Sequence, residues 1–282
     1  MGSALLYEYR RAVTLRTTWI FLLIAFAMGG LTTWAQYYIS GADNGVGSYN
    51  IGLLLTRVTS IYQLTVFVIA SFAALSWGHE YRFGLNRLTL SVFPRRWTVF
   101  IAKTVGIIVF SSAAWLTSAI GGTLLLFSVD SKHVVDYSLG VVNSTENIGD
   151  GRDPKLVMEH IVAWHWLGRS LAFVVVFSLI VGAVTALTRN LTIALIVPNV
   201  MMLFAENVLV LVGNFASAAT ANVMNQVLPF VNGQRFADWS TGSAQGQTAS
   251  ASVPTMQSMT VYLSWAMLLL IGAGISFQRR DA

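Results

Sequence analysis

The side chains that could do chemistry are few enough to be weighed one at a time. Glu206, in Ala205-Glu206-Asn207, is the one ionisable residue deep inside a long apolar stretch. A charge at the centre of a membrane helix costs on the order of 2.5–3.5 kcal/mol on insertion scales, so it should face protein or a water-filled cavity. Two readings stand: an acid on a substrate pathway or gate, or a structural contact to Asn199, Asn207 or Asn214. A proton relay needs further partners, and none accompany it. His79, His133, His160 and His165 raise the question of a metal. His79-Glu80 does not extend to HExxH, and His160 and His165 are five residues apart, a poor spacing for one helical face. Their setting beside Trp164 and Trp166 favours interfacial histidines. Cysteine is absent, which excludes disulfides and thiolate metal sites and leaves the redox compartment open. Asn143-Ser144-Thr145 and Asn190-Leu191-Thr192 match the glycosylation sequon and read as chance matches. No Ser/His/Asp or paired-carboxylate set falls at one depth, so the chain is not expected to be an enzyme.

The elements that must carry these residues are apolar. The chain has 282 residues, of which 55% are hydrophobic and only 10% charged, with a mean hydropathy of +0.64. Soluble domains carry about 25% charged residues. A span needs about 20 apolar residues to cross roughly 30 Å of hydrocarbon. Charge-poor stretches of that kind lie at Thr17–Ala42, Val58–Gly78, Thr104–Val129, Ser170–Thr188, Leu191–Val212 and Met259–Phe277. The expected fold class is therefore an all-α polytopic membrane protein with six transmembrane helices, one transmembrane domain over residues 1–282. The first span follows Arg10, Arg11 and Arg16 as a signal peptide would. Its apolar core is longer than the roughly 7–15 residues of a signal h-region, so it reads as a retained helix.

Orientation follows from Lys and Arg in the short connections. With both ends inside, the inner segments hold 11 of the 17 basic residues with only Glu8, Glu80 and Asp281. The outer segments hold the other six with eight acids. This gives an N-in, C-in arrangement. Residues 128–168 and 213–258 become extracytoplasmic segments, and Leu156–Leu167 could lie there as an interfacial helix. Residues 1–16 form an amphipathic helix, with Leu5, Tyr9, Ala12 and Val13 on one face and Arg10 and Arg11 opposite. It reads as a topology anchor facing anionic headgroups of the lipid bilayer, or as an elbow that also packs the bundle. The net charge of +5 is thus accounted for by topology, with no call for nucleic acid. Gly29-Gly30, Gly121-Gly122, Gly182, Gly272 and Gly274 suit close helix packing.

The most informative stretch is residues 78–103, GHEYRFGLNRLTLSVFPRRWTVFIAK, between the second and third spans on the inner side. Glu80–Leu90 has helical composition, Gly84 permits a close approach, and Pro94 stops the helix before Arg95 and Arg96. It reads as an element that receives force from a soluble partner, or as an interfacial helix held by lipid phosphates. The stretch resembles the cytoplasmic loop of permease subunits of ABC-2-type transporters: an acid, a basic residue, Gly-Thr, an apolar run, Pro, basic residues and a Lys opening the next span. The matching positions are Glu80, Arg82, Gly84, Pro94, Arg95, Arg96 and Lys103, while Leu85 stands where that family commonly has Thr. Ala186–Asn190, as a short inner turn, and Val227-Leu228-Pro229-Phe230, before the last span, agree with the same family.

The resemblance implies the permease subunit of an ATP-driven exporter in the bacterial plasma membrane. It implies two copies of a soluble ABC ATPase as partners, and a second permease chain forming a homo- or heterodimer. Glu80, Arg82, Gly84, Arg87, Pro94, Arg95 and Arg96 would couple to the ATPase. No GxxxxGK[ST] motif occurs in the chain, so ATP and Mg would be bound by the partner and no cofactor by this chain. The cargo implied is hydrophobic or amphipathic: a lipid, peptide or drug-like molecule. Two rival classes stand beside it. An ion-coupled secondary transporter would carry more intramembrane ionisable groups or broken helices in repeated halves. A non-transporting membrane immunity or assembly protein would have no ATPase partner.

Overall fold

In the computed structural model, the described residues are 2–39, 49–50, 62–84, 89, 91–93, 95–130, 134–136, 140–141, 145–146, 155–156, 161–237 and 255–279. Nine helices account for most of them: α1 Gly2–Thr14, α2 Arg16–Ile39, α3 Tyr62–Arg82, α4 Arg96–Asp130, α5 Ala163–Thr188, α6 Leu191–Ala216, α7 Ala218–Val227, α8 Pro229–Ala237 and α9 Thr255–Arg279. Five of these, α2, α4, α5, α6 and α9, hold stretches long and apolar enough to cross a membrane. α3 has 21 residues but ends on His79, Glu80 and Arg82, which lowers its apolarity. The chain is thus a multi-pass membrane protein by its helices.

Helix starts and stops differ from the sequence reading mainly in the polar flanks. α4 begins at Arg96, eight residues before the expected Thr104, which carries Lys103 into the helix. α5 begins at Ala163. Ahead of it the expected interfacial helix over Leu156–Leu167 does not form as one piece. Lys155–Leu156 pairs antiparallel with Thr145–Glu146, and Ile161–Val162 with Gly140–Val141. β-branched Val and Ile favour such extended pairing.

Small residues set the closest helix contact. α2 and α4 run against each other with Gly29 facing the Ser118 backbone and Gly121 facing the Phe26 carbonyl. A Cβ at either position would collide with main chain, so only glycine permits this approach. α5 is the most enclosed of the five apolar helices. It packs on α3, α4, α6, α8 and α9. One apolar cluster joins Ile69, Phe110, Phe173, Phe177, Val181, Met202, Phe230 and Tyr262. A second, towards the α3 C-terminus, joins Trp77, Phe100, Ile107, Ala183, Ala273 and Phe277. There Trp77 meets Phe100 and Phe277 with ring centroids 5.6 and 5.5 Å apart.

α6 is not a regular α-helix. Pro198 cannot donate to the ladder, and a π-turn follows at Met201–Ala205. The Glu206 N–H then reaches the Met201 carbonyl, five residues back. One extra residue per turn rotates everything after it by about 100° relative to a regular helix. Gln234 Nε2 donates to the Met202 carbonyl at 3.2 Å, and Asn207 Nδ2 to the Leu203 carbonyl at 3.2 Å. Side chains thereby satisfy carbonyls that the irregular ladder exposes.

Candidate functional site

Two polar constructions stand out in this apolar bundle, one at an end of its helices and one within it. The first lies where α1, α3 and α4 meet. Lys103 Nζ is 2.6 Å from Glu80 Oε1 and 3.0 Å from Glu8 Oε1. Arg11 Nη1 bonds the same Glu80 oxygen and lies 3.8 Å from Glu8 Oε2. Glu80 and Lys103 are each only 2% exposed. Trp77 covers the ammonium at 5.5 Å. Two acids and two bases therefore close a neutral set in which each buried charge has an opposite neighbour, the condition for burying charge at all.

This network changes the reading of α1. On the apolar face formed by Leu5, Tyr9, Ala12 and Val13, Tyr9 and Val13 are exposed, as a helix lying on a bilayer surface requires. The face turned to the bundle is Ala4, Glu8 and Arg11, spaced by four and three residues on one helical side. A polar face turns inward because Glu80 and Lys103 offer it complementary charges there. α1 is accordingly an elbow that packs the bundle.

The residues assigned to coupling separate into two groups. Glu80 is buried in the network. Arg82 is exposed, with its guanidinium 5.7 Å from the Phe83 ring. Gly84 has a φ of +64°, the left-handed conformation that ends a helix and suits glycine. Arg95 is exposed, and its carbonyl accepts the first bond of α4 from Thr98 N–H at 3.0 Å. Arg96 reaches across to the Gln278 carbonyl at 3.1 Å, tying α4 to the end of α9. Arg87 and Pro94 lie outside the described residues. The helical character expected over Glu80–Leu90 is seen in α3 as far as Arg82 and again at Thr89. Across this end, Asn190 starts α6: its Oδ1 accepts from Thr192 N–H at 2.9 Å and Ile193 N–H at 3.3 Å. The sequon-like Asn190-Leu191-Thr192 is thus a helix N-cap.

The second construction surrounds Glu206. α7 folds back along the end of α6, with Gly213 against Ala221 and Met224. α8 then rises against α5 and α9: Phe230 meets Phe177 at 5.4 Å, and Gly233 fits between the Phe173 and Tyr262 rings. The joint between them, Val227-Leu228-Pro229, is level with Glu206, ten residues before the end of α6 at Ala216, about 15 Å along the axis. Glu206 is wholly buried, and its Oε2 accepts from Val231 N–H at 2.7 Å. Pro229 supplies the first residue of α8 and needs no partner for its nitrogen. The carboxyl therefore caps a helix from a neighbouring element. Asn232 Nδ2 donates to the Asn225 and Leu228 carbonyls at 2.9 and 2.8 Å, and Arg235 Nη2 to Asn225 Oδ1 at 2.7 Å. These bonds clamp α7 to α8.

Glu206→Leu should therefore cost about 1–3 kcal/mol, because a buried N–H loses its acceptor. Glu206→Gln should cost less, since its amide oxygen can still accept. Thermal unfolding in detergent, followed by size-exclusion chromatography, separates the two. Equal stability of Glu206→Leu and wild type would exclude the capping role.

Among the other candidates, His79 is exposed and lies 4.6 Å from the Phe83 ring. His133 and His160, the His165 side chain and Asn143-Ser144 are outside the described residues. Among the described residues no three His, Asp or Glu gather as metal ligands. In the sequence, Lys103 stands out only as the opening of a span and Glu8 only as one charge on the inner side. Their signal was a Lys and a Glu bordering apolar runs, each with an opposite charge in reach. On the flank of α2 and α4 an open apolar groove of about 530 Å³ is lined by Phe26, Leu31, Trp34, Leu124 and Leu125. No family model matches the chain. A search of curated proteins likewise finds no match.

Proposed function

We propose that this chain is the permease subunit of an ATP-driven transporter of the ABC-2 type, with α3 as the sixth span and both termini inside. The observation that carries this reading is the construction at the α1–α3–α4 end. A short connection from Arg82 to Arg95 leaves two long helices whose ends are locked to each other and to α1 by buried charge. A connection built this way passes displacement to the spans, because a packed and charge-paired junction resists bending on its own. The order of Glu80, Arg82, Gly84, Pro94, Arg95, Arg96 and Lys103 along this connection agrees with the family pattern. α7 and α8 form a helical hairpin re-entering from the outer face, α7 along the end of α6 and α8 buried against α5 and α9, as backbone at membrane depth demands. The energy comes from a separate soluble ATPase in two copies that binds ATP and Mg, and a second permease chain completes the pathway. The cargo is hydrophobic or amphipathic, exported across a bacterial plasma membrane.

The ion-coupled alternative gains one observation: a short helix beginning at membrane depth beside an acid is a feature of such transporters. Here, however, that helix start is already occupied by the chain's own Glu206. Purification of the tagged chain in mild detergent, with mass spectrometry of its companions, separates the readings. The permease reading expects stoichiometric recovery of a soluble ATPase. Repeated recovery of the chain alone would favour a stand-alone membrane protein.

A further inference from the structure

We infer that the soluble partner receives this end of the molecule in an acidic groove, gripping arginines and not a glutamate. The inference rests on the ATP-driven reading above and names the chemistry of its docking site. Both acids described at this end, Glu8 and Glu80, are turned inward onto Lys103 and Arg11. What faces outward is Arg82, Arg95, Arg189 and Arg279, all exposed and none ion-paired to an acid among the described residues. The topology rule accounts for arginines on the inner side but says little about acids. Withdrawal of both acids into the interior leaves, among the described residues, an outward face of one sign.

Two of these cations, Arg82 and Arg189, are also held against aromatic rings. Arg189 sits at a φ of +53° in the tight α5–α6 turn, its N–H bonded to the Thr185 carbonyl at 2.8 Å. Its guanidinium lies 5.7 Å over the Tyr81 ring, one residue from Arg82. The Arg95 backbone is fixed where it opens the first turn of α4. Phe83, 58% exposed, projects beside Arg82 where Gly84 turns the chain. Planar guanidinium forks match carboxylates bidentately, and anchoring them beforehand lowers the entropy lost on docking. Lipid headgroups are the poorer fit. Arg10 and Arg16, on α1 and its junction with α2, flank the bundle beside the exposed Tyr9 and Val13 and suit a bilayer surface. Arg82 and Arg189 close the ends of α3 and α5, and α5 is the most enclosed span.

The test compares the tagged full chain with R82E/R95E and with R10E/R16E, each purified with its co-purifying ATPase in mild detergent. Glu80 is avoided because its loss would disturb the network. Recovered ATPase is measured from 50 to 500 mM NaCl, and all three chains must elute monodisperse at one position. Docking through arginines expects about tenfold less ATPase at high salt, a tenfold or greater loss in R82E/R95E at low salt, and no loss in R10E/R16E. ATPase recovery that ignores both salt and R82E/R95E would overturn the acidic groove while leaving the permease reading intact. R82E/R95E that retains its ATPase but no longer adsorbs to phosphatidylglycerol vesicles would assign these arginines to lipid instead. Failure of the wild type to bring down any ATPase would remove the permease reading and the groove with it.

Discussion

Lys103→Ala is expected to destabilise the folded chain by about 3–5 kcal/mol, the range found when one partner of a buried ion pair is removed. Lys103 is buried and lies between Glu80 and Glu8, at 2.6 and 3.0 Å. Its loss leaves two carboxylates to the single guanidinium of Arg11, with Glu80 almost wholly shut off from water. The penalty comes from the uncompensated charge and not from any intrinsic strength of the pair. The combination Lys103→Met with Glu80→Leu removes one charge of each sign and leaves Glu8 with Arg11. It should therefore recover most of the loss, although each single change is severe. Heating detergent-solubilised protein and measuring the monodisperse fraction reads both effects. Lys103→Ala that withstands heat as well as wild type would show that the network contributes nothing to the fold.

The second large effect is expected at the α2–α4 contact. Gly29→Val places a Cβ onto the Ser118 backbone oxygen, and Gly121→Val places one onto the Phe26 carbonyl. Neither obstacle is a flexible side-chain end that can swing away. The helices must separate, so each change is expected to cost at least the roughly 1–3 kcal/mol of ordinary overpacking. Gly106→Ala on the same helix α4 meets nothing within 4 Å and should leave stability unchanged or slightly raised. The same heating measurement decides it, with Gly106→Ala as the comparison. If Gly29→Val and Gly106→Ala behave alike, the close approach of α2 and α4 is not a feature of the protein in the membrane.

Much of the scaffold was legible because apolar length is a one-dimensional signal. Each expected span overlaps a helix, and the five apolar ones follow from runs of Leu, Val, Ile and Phe alone. The ends were less legible. Nothing local told that Lys103 would lie inside α4, since a Lys at the edge of an apolar run can as well lie in a loop. Its burial depends on Glu8 and Glu80, which are 95 and 23 residues away in sequence. The inward face of α1 was hidden for the same reason: the apolar stripe of Leu5, Tyr9, Ala12 and Val13 says nothing of the complementary charges of α3 and α4 that draw Glu8 and Arg11 inward. Glu206 was recognised as requiring a partner, but the partner is the Val231 amide, and a backbone donor has no signature in a sequence. The π-turn that aims Glu206 at α8 follows Pro198, yet proline alone signals only an interrupted ladder. The return of α7 and α8 into the bundle was likewise hidden. Their residues form no long apolar run, and of the two only α8 is largely buried, against α5 and α9.

The most direct test of the central claim is ATP hydrolysis by the tagged chain purified with its companions and returned to lipid nanodiscs. The account expects an eluate that hydrolyses ATP, with activity residing in a second, soluble chain present at one copy per permease. It also expects Lys103→Ala to change the turnover of that partner, although the substitution lies in the permease and away from any nucleotide. A homogeneous preparation of this chain that stays folded in lipid, brings no nucleotide-hydrolysing partner and shows no ATP turnover would contradict the account.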